Sequence, residues 1–130
     1  MKPDFMFMYM MIIHYLADFC LQTVYQAQNK GVGKSFWNVA LFNHVGMYSI
    51  VWFLSVVAIS SITGWGLSTC LLFTLITFVC HYLTDWFTSR IGKQFWTSGD
   101  YHNGFVVVGI DQVLHYIQLL SAYYLFIIKN

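Results

Sequence analysis

Residues 67–89 read LSTCLLFTLITFVCHYLTDWFTS, an apolar run that carries His81 and Asp85 near its end. A helix crosses the hydrocarbon core of a bilayer, about 30 Å, with about 20 mostly apolar residues. This stretch is long enough and has no lysine or arginine, and its one acid follows a histidine by four residues, on the same helix face. Outward from it, residues 5–26, 36–62 and 105–128 form three more apolar stretches of similar length. Gly31-Val32-Gly33, Thr63-Gly64-Trp65-Gly66 and the polar segment 97–104 separate them. With connections this short, the expected fold is all-α. It is a four-helix transmembrane bundle running up and down as one integral membrane domain over residues 1–130.

Composition supports that reading. The 130 residues are 58% hydrophobic, 20% aromatic and only 8% charged, whereas a soluble domain carries about 25% charged residues. Formal net charge is +1, and all five acids are Asp. A soluble globular enzyme, a disordered tail and a basic nucleic-acid binder are excluded, so no nucleic-acid partner is expected. His14 and Asp18 interrupt the first apolar run and no small-x-small cleavage site follows, so this run reads as a span rather than a signal peptide. Cys20, Cys70 and Cys80 lack CxxC spacing and read as free thiols among apolar neighbours. Lys30 and Lys34 flank the first loop, and Arg90 and Lys93 open the third, against Lys2 and Lys129 at the termini. That bias places loops one and three in the cytoplasm and both termini outside. Trp37, Trp65 and Trp96 read as interfacial anchors.

The chain also repeats itself. His14-Tyr15-Leu16-Ala17-Asp18-Phe19 returns as His81-Tyr82-Leu83-Thr84-Asp85-Trp86, with His, Tyr, Leu and Asp at matching positions. The helices that follow echo each other through His44 and His115. Two duplicated helical hairpins are expected, with a site at the repeat interface. Ala40 stands where Asp111 would have its counterpart, so the halves do not supply equivalent side chains.

Seven ionisable residues fall within the expected spans: His14, Asp18, His44, His81, Asp85, Asp111 and His115. Counted from the span ends at 1.5 Å per residue, the histidines share a depth of about 13 Å, with the Asp layer about 6 Å nearer the cytoplasm. No lysine or arginine is expected at this depth. Each intramembrane Asp costs roughly 2.5–3.5 kcal/mol on insertion scales. A bound divalent metal offsets that cost more completely than protonation does. Three carboxylates carry three negative charges, so two divalent ions leave a single positive charge for a hydroxide or anionic substrate. His/Asp ligation without Cys suits zinc, manganese or iron. Two such ions would share and activate a water. Asp18, Asp85 and Asp111 are the catalytic candidates, one of them, Asp111 for example, bridging the ions or acting as base.

Gln22 continues the His14–Asp18 face, Gln118 continues that of Asp111–His115, and Asn43 and Gln112 adjoin ligand positions. They suit either outer hydrogen bonds to a metal site or plain interhelical bonding. Asn29, Lys30, Lys34, Arg90 and Lys93 would surround the cytoplasmic mouth, where they draw in a phosphate or anionic lipid headgroup or simply set topology. Asp100 and His102 are expected in a solvated loop.

The order His14-Tyr-Leu-Ala-Asp18 with Gln22 and Asn29-Lys30, then Asn43-His44, His81-Tyr-Leu-Thr-Asp85 and Asp111-Gln112-Val-Leu-His115, resembles the domain-of-unknown-function 3307 family. That resemblance implies four spans and a bacterial or phage source, but no activity; the expected location is the bacterial inner membrane. A looser similarity is to small membrane-bound metal-dependent hydrolases. The expected function is a metal-dependent hydrolase acting on a phosphate-bearing or amphiphilic substrate. Alternatives are a structural metal site in a protein acting through a membrane-protein partner or as a homo-oligomer, as in phage–host interference, and an ion or proton transporter. A haem bundle using His14, His44, His81 and His115 is disfavoured by the neighbouring Asp residues.

Overall fold

The structure, a computed structural model, describes residues 3–128, with side chains over residues 5–126. Helix α1 spans Pro3–Tyr15 and passes directly into a π turn, Leu16–Cys20, whose last bond runs from Leu21 N–H to the Leu16 carbonyl at 3.0 Å. Helix α2, Val24–Asn29, opens on a capping box in which Thr23 and Gln26 satisfy each other's backbone N–H groups. Asn38 caps α3, Val39–Ala58, by accepting from Leu41 N–H at 3.0 Å. A single turn, α4 (Ser60–Thr63), precedes the two long helices α5, Leu67–Ser98, and α6, Tyr101–Ile128. No strand occurs among the described residues, so the all-α expectation holds.

The spans need correction. The expected first span, 5–26, ends at Cys20, because the chain breaks at residues 21–23 and Thr23 starts a new helix. The apolar run Phe5–Cys20 rises only about 24 Å at 1.5 Å per residue, short of a hydrocarbon core. Among the described residues three helices, not four, are long and apolar enough to cross a membrane: Val39–Ala58, Leu67–Ser98 and Tyr101–Phe126. The expected third loop shrinks to Gly99 and Asp100. Gly99 takes φ 78°, a left-handed conformation that glycine adopts without strain, and its closing bonds return to Phe95 and Trp96. Asp100 then caps α6 through Asn103 N–H at 3.1 Å and the Asn103 amide at 2.6 Å, bonds that hold its carboxyl below the usual range. Arg90, Lys93 and His102 are therefore helical rather than in a loop.

Polarity is arranged from outside in. Ile50, Leu54, Leu71, Leu75, Ile110 and Ile117 are exposed on the outer faces of the long helices, a surface suited to lipid. Four histidines and three aspartates lie buried between them. On the far side of this polar layer, Met6, Met10, Tyr48, Trp52, Phe73, Leu119 and Phe126 form the main apolar core. Trp65 belongs to that core, packed on Phe73 and Phe126, and is not an interfacial anchor. The thiols are free, with Cys70 buried and Cys20 exposed.

Candidate metal centre

The buried polar residues gather into two groups. Asp18, His44, His81 and Asp85 each bring one ligand atom to within 4.8 Å of the others, and Asp18, Asp111 and His115 do the same. Six of the seven expected ligands take part, and Asp18 is common to both groups. The expected two layers interleave, because imidazole and carboxylate ends point toward each other. The intrahelical pairs stand 3.8 Å apart for His14–Asp18, 3.6 Å for His81–Asp85 and 3.4 Å for Asp111–His115. The two closest pairs run between helices: His44 Nε2 lies 3.0 Å from Asp18 Oδ1, and His115 Nε2 lies 3.0 Å from Asp85 Oδ1. In each half, the Asp of the HYLxD sequence meets the histidine of the following long helix.

His14 stands outside both groups. Its Nδ1 bonds the Tyr48 hydroxyl at 2.8 Å and its Nε2 bonds Gln112 Oε1 at 2.8 Å, so both ring nitrogens are engaged. Gln112 in turn donates through Nε2 to Asp18 Oδ2 at 2.9 Å and Asp111 Oδ2 at 3.2 Å. Thr88 Oγ1 donates to Asp111 Oδ1 at 2.5 Å, and Gln118 bonds Thr84 one turn earlier. Tyr48 also stacks on His81, with ring centroids 3.8 Å apart, and His81 stacks on His115 at 4.1 Å. Tyr48, Thr84 and Thr88 escaped the sequence reading, although Tyr48 lies four residues after His44 and Thr88 three after Asp85. That spacing puts them on the ligand faces.

Lys30 overturns one expectation. From the loop after α2 its ammonium reaches inward to Asp85 Oδ2 at 2.8 Å, so a basic group does sit at the depth of the carboxylates. Its long apolar stem allows this, with the charged end carried inward rather than outward. Burial disfavours the charged ammonium, but the Asp85 and Asp18 carboxylates outweigh burial and hold Lys30 above its ordinary pKa.

A cavity of about 490 Å³ opens beside the three-residue group, a size within the range of small-molecule sites. Asp18, Asp111 and Gln112 form its polar floor, Phe19, Val107, Val108 and Trp96 its apolar walls, and Lys30 and Lys93 its basic side. Gln22 lines it with a buried Oε1 that has no donor. The other expected mouth residues lie elsewhere. Arg90 is bonded to the Gly33 and Ser35 carbonyls at 3.0 and 2.8 Å and stacks on Trp86, which fixes the first loop. Asn29 bonds the Tyr25 carbonyl, Lys34 is exposed, and exposed Asn43 joins neither group. Lys93 Nζ makes a longer bond of 3.3 Å to the Gln28 carbonyl.

Fold and site together define an all-helical, membrane-type protein whose buried His/Asp groups could hold a metal ion. The sequence profile of the family "Protein of unknown function (DUF3307)" matches residues 6–130, and the chain belongs to that family. No curated protein and no solved structure matches the chain.

Proposed function

We propose that the protein is a metal-dependent hydrolase of the bacterial inner membrane, acting on a phosphate-bearing or amphiphilic substrate at headgroup depth. The observation that carries this reading is the Asp18–Asp111–His115 group, which offers only three protein ligands and borders the 490 Å³ cavity through both carboxylates. Three ligands and an open position are the pattern of catalytic zinc sites, whereas structural sites close with four.

Depth supports the same reading. The 20 residues of α3 just cover a hydrocarbon core of about 30 Å. Leu41 and Val45 pack with Tyr82, and His44 meets His81, so the Val39 end of α3 lies level with about Trp86 of α5. Twenty residues counted from Leu67 also end near Phe87. On this arithmetic the cavity wall formed by Thr88, Gly92, Lys93 and Trp96 stands in the headgroup layer. Lys30 and Lys34 after α2, with Arg90 and Lys93 on the same end of α5, favour the cytoplasmic side for that layer. A headgroup can enter there while an apolar chain lies along Phe19, Val107 and Val108.

A divalent metal would supply Lewis-acid polarisation of the scissile ester and would make water a better nucleophile near neutral pH. Asp18, Asp111 and His115 would hold it. Gln112 keeps the two carboxylates together, and His14, tied to Tyr48, orients Gln112. Thr88 fixes Asp111 Oδ1 beside the cavity, which holds that carboxylate in place as a ligand. A duplicated pair of hairpins accounts for the matching contacts of Asp18 with His44 and Asp85 with His115.

A structural role for a metal is the second reading, favoured by the Asp18–His44–His81–Asp85 group, whose four residues are all buried. Elemental analysis of detergent-purified protein, paired with hydrolysis assays on phosphomonoester and acyl-ester lipids, tests both. The expected result is bound metal with chelator-sensitive turnover. A folded, metal-free preparation whose Asp111→Asn and His81→Ala variants both behave like wild type would end the metal reading. Bound metal with no turnover on either lipid class would favour the structural role.

A further inference from the structure

We propose that Lys30 takes the place of a second metal ion, so that the centre holds one divalent ion, on Asp18, Asp111 and His115, and a lysine ammonium beside it. The inference rests on the metal-binding reading above and goes further in fixing stoichiometry, position and the role of Lys30. Charge is the first argument. Asp18, Asp85 and Asp111 bring three negative charges and Lys30 one positive, so two remain, and a single divalent ion leaves the buried cluster neutral. A second divalent ion would leave the interior with an excess of two positive charges, a costly state in a low-dielectric region.

Geometry is the second. Lys30 Nζ bonds Asp85 Oδ2 at 2.8 Å, and that same oxygen faces His44 Nε2 at 3.2 Å and His81 Nε2 at 3.6 Å. The ammonium therefore already holds the carboxylate that a metal in the four-residue group would need. No lysine or arginine forms an ion pair with Asp18 or Asp111 among the described residues, so no side-chain cation of that kind competes with a metal for these two carboxylates.

The loop that carries Lys30 is built to deliver it. A Cβ on Gly31 would stand 2.5 Å from the Ser89 carbonyl oxygen, so backbone meets backbone directly after Lys30. Arg90 fixes the same loop two and four residues further on. Lys30 also lines the cavity that Asp18 and Asp111 border. An anionic substrate oxygen can then be held between metal and ammonium, as two metal ions would hold it.

The test is metal stoichiometry per chain by elemental analysis of the full protein in detergent, loaded with Zn²⁺ or Mn²⁺ and desalted. Wild type is expected to retain one ion. Lys30→Met and Lys30→Gln, which free Asp85, are expected to retain two, and Lys30→Arg one. Two ions on wild type would overturn the proposal, as would one ion on folded Lys30→Met and Lys30→Gln proteins. Where a variant does not fold, the wild-type count and the remaining variant decide. Absence of metal from every protein would instead overturn the metal-binding reading beneath it, a result distinct from a wrong count.

Discussion

The two His/Asp groups share Asp18 and the same ligand chemistry, yet their surroundings differ. Around Asp85 the space is closed: His44, His81 and His115 converge on one carboxylate, and Lys30 neutralises it. Around Asp111 it is open, with Thr88 and Gln112 holding the carboxylate while the cavity lies beside it. Ligand type alone therefore does not decide what a buried cluster does. A neighbouring cation and access to a cavity separate a group that is already neutralised from the one to which the proposal above assigns a metal.

The sharpest way to break the comparison is to remove what the groups share. Asp18→Asn is expected to cost both: metal binding should fall at least ~100-fold, more than loss of an outer hydrogen bond does. Thermal unfolding should also reveal about 3–5 kcal/mol of lost stability, the scale for breaking a buried ion pair. Next, the groups should part company. Asp111→Asn is expected to abolish metal retention with little change in melting temperature. His44→Ala should retain metal but lose about 1–3 kcal/mol, because Asp18 loses its 3.0 Å partner. Elemental analysis beside a melting curve reads both.

A smaller effect sharpens the role of the open group's support. Gln112→Leu removes the amide that spans Asp18 and Asp111, and metal affinity should fall about 10–100-fold in a titration. The smallest effect on metal binding falls on the closed group's loop. Gly31→Ala pushes a methyl against the Ser89 backbone carbonyl, for a loss of about 1–3 kcal/mol by denaturant unfolding.

The helical class and the buried polar residues were legible from particular positions. An apolar run with His81 and Asp85 four apart requires one helix with one polar face, and six of the seven spaced residues do come together. Helix ends were less legible, because they depend on local chemistry that hydropathy averages away. The cap at Asp100 and the turn at Gly99 moved Arg90 and Lys93 from an expected loop into helix. The two HYLxD stretches show the limit most clearly. His81–Asp85 lies inside the continuous helix α5, but His14–Asp18 runs into a π turn, the rarer geometry that often marks functional sites. No periodicity in residues 16–20 announces that turn. Asp18 within it serves both groups, whereas the expected bridging residue was, for example, Asp111. The inward reach of Lys30 to Asp85 was hidden for a different reason. Its position belongs to a loop, and only the folded path of residues 24–38 shows that its stem points back into the bundle.

Anomalous diffraction from crystals of the zinc- or manganese-loaded protein tests the central claim most directly. The account predicts one strong peak about 2.0–2.2 Å from Asp18, Asp111 and His115 ligand atoms, with an unfilled position toward the cavity. A folded protein with no peak in either group, or with its only peak among Asp18, His44, His81 and Asp85, would contradict it.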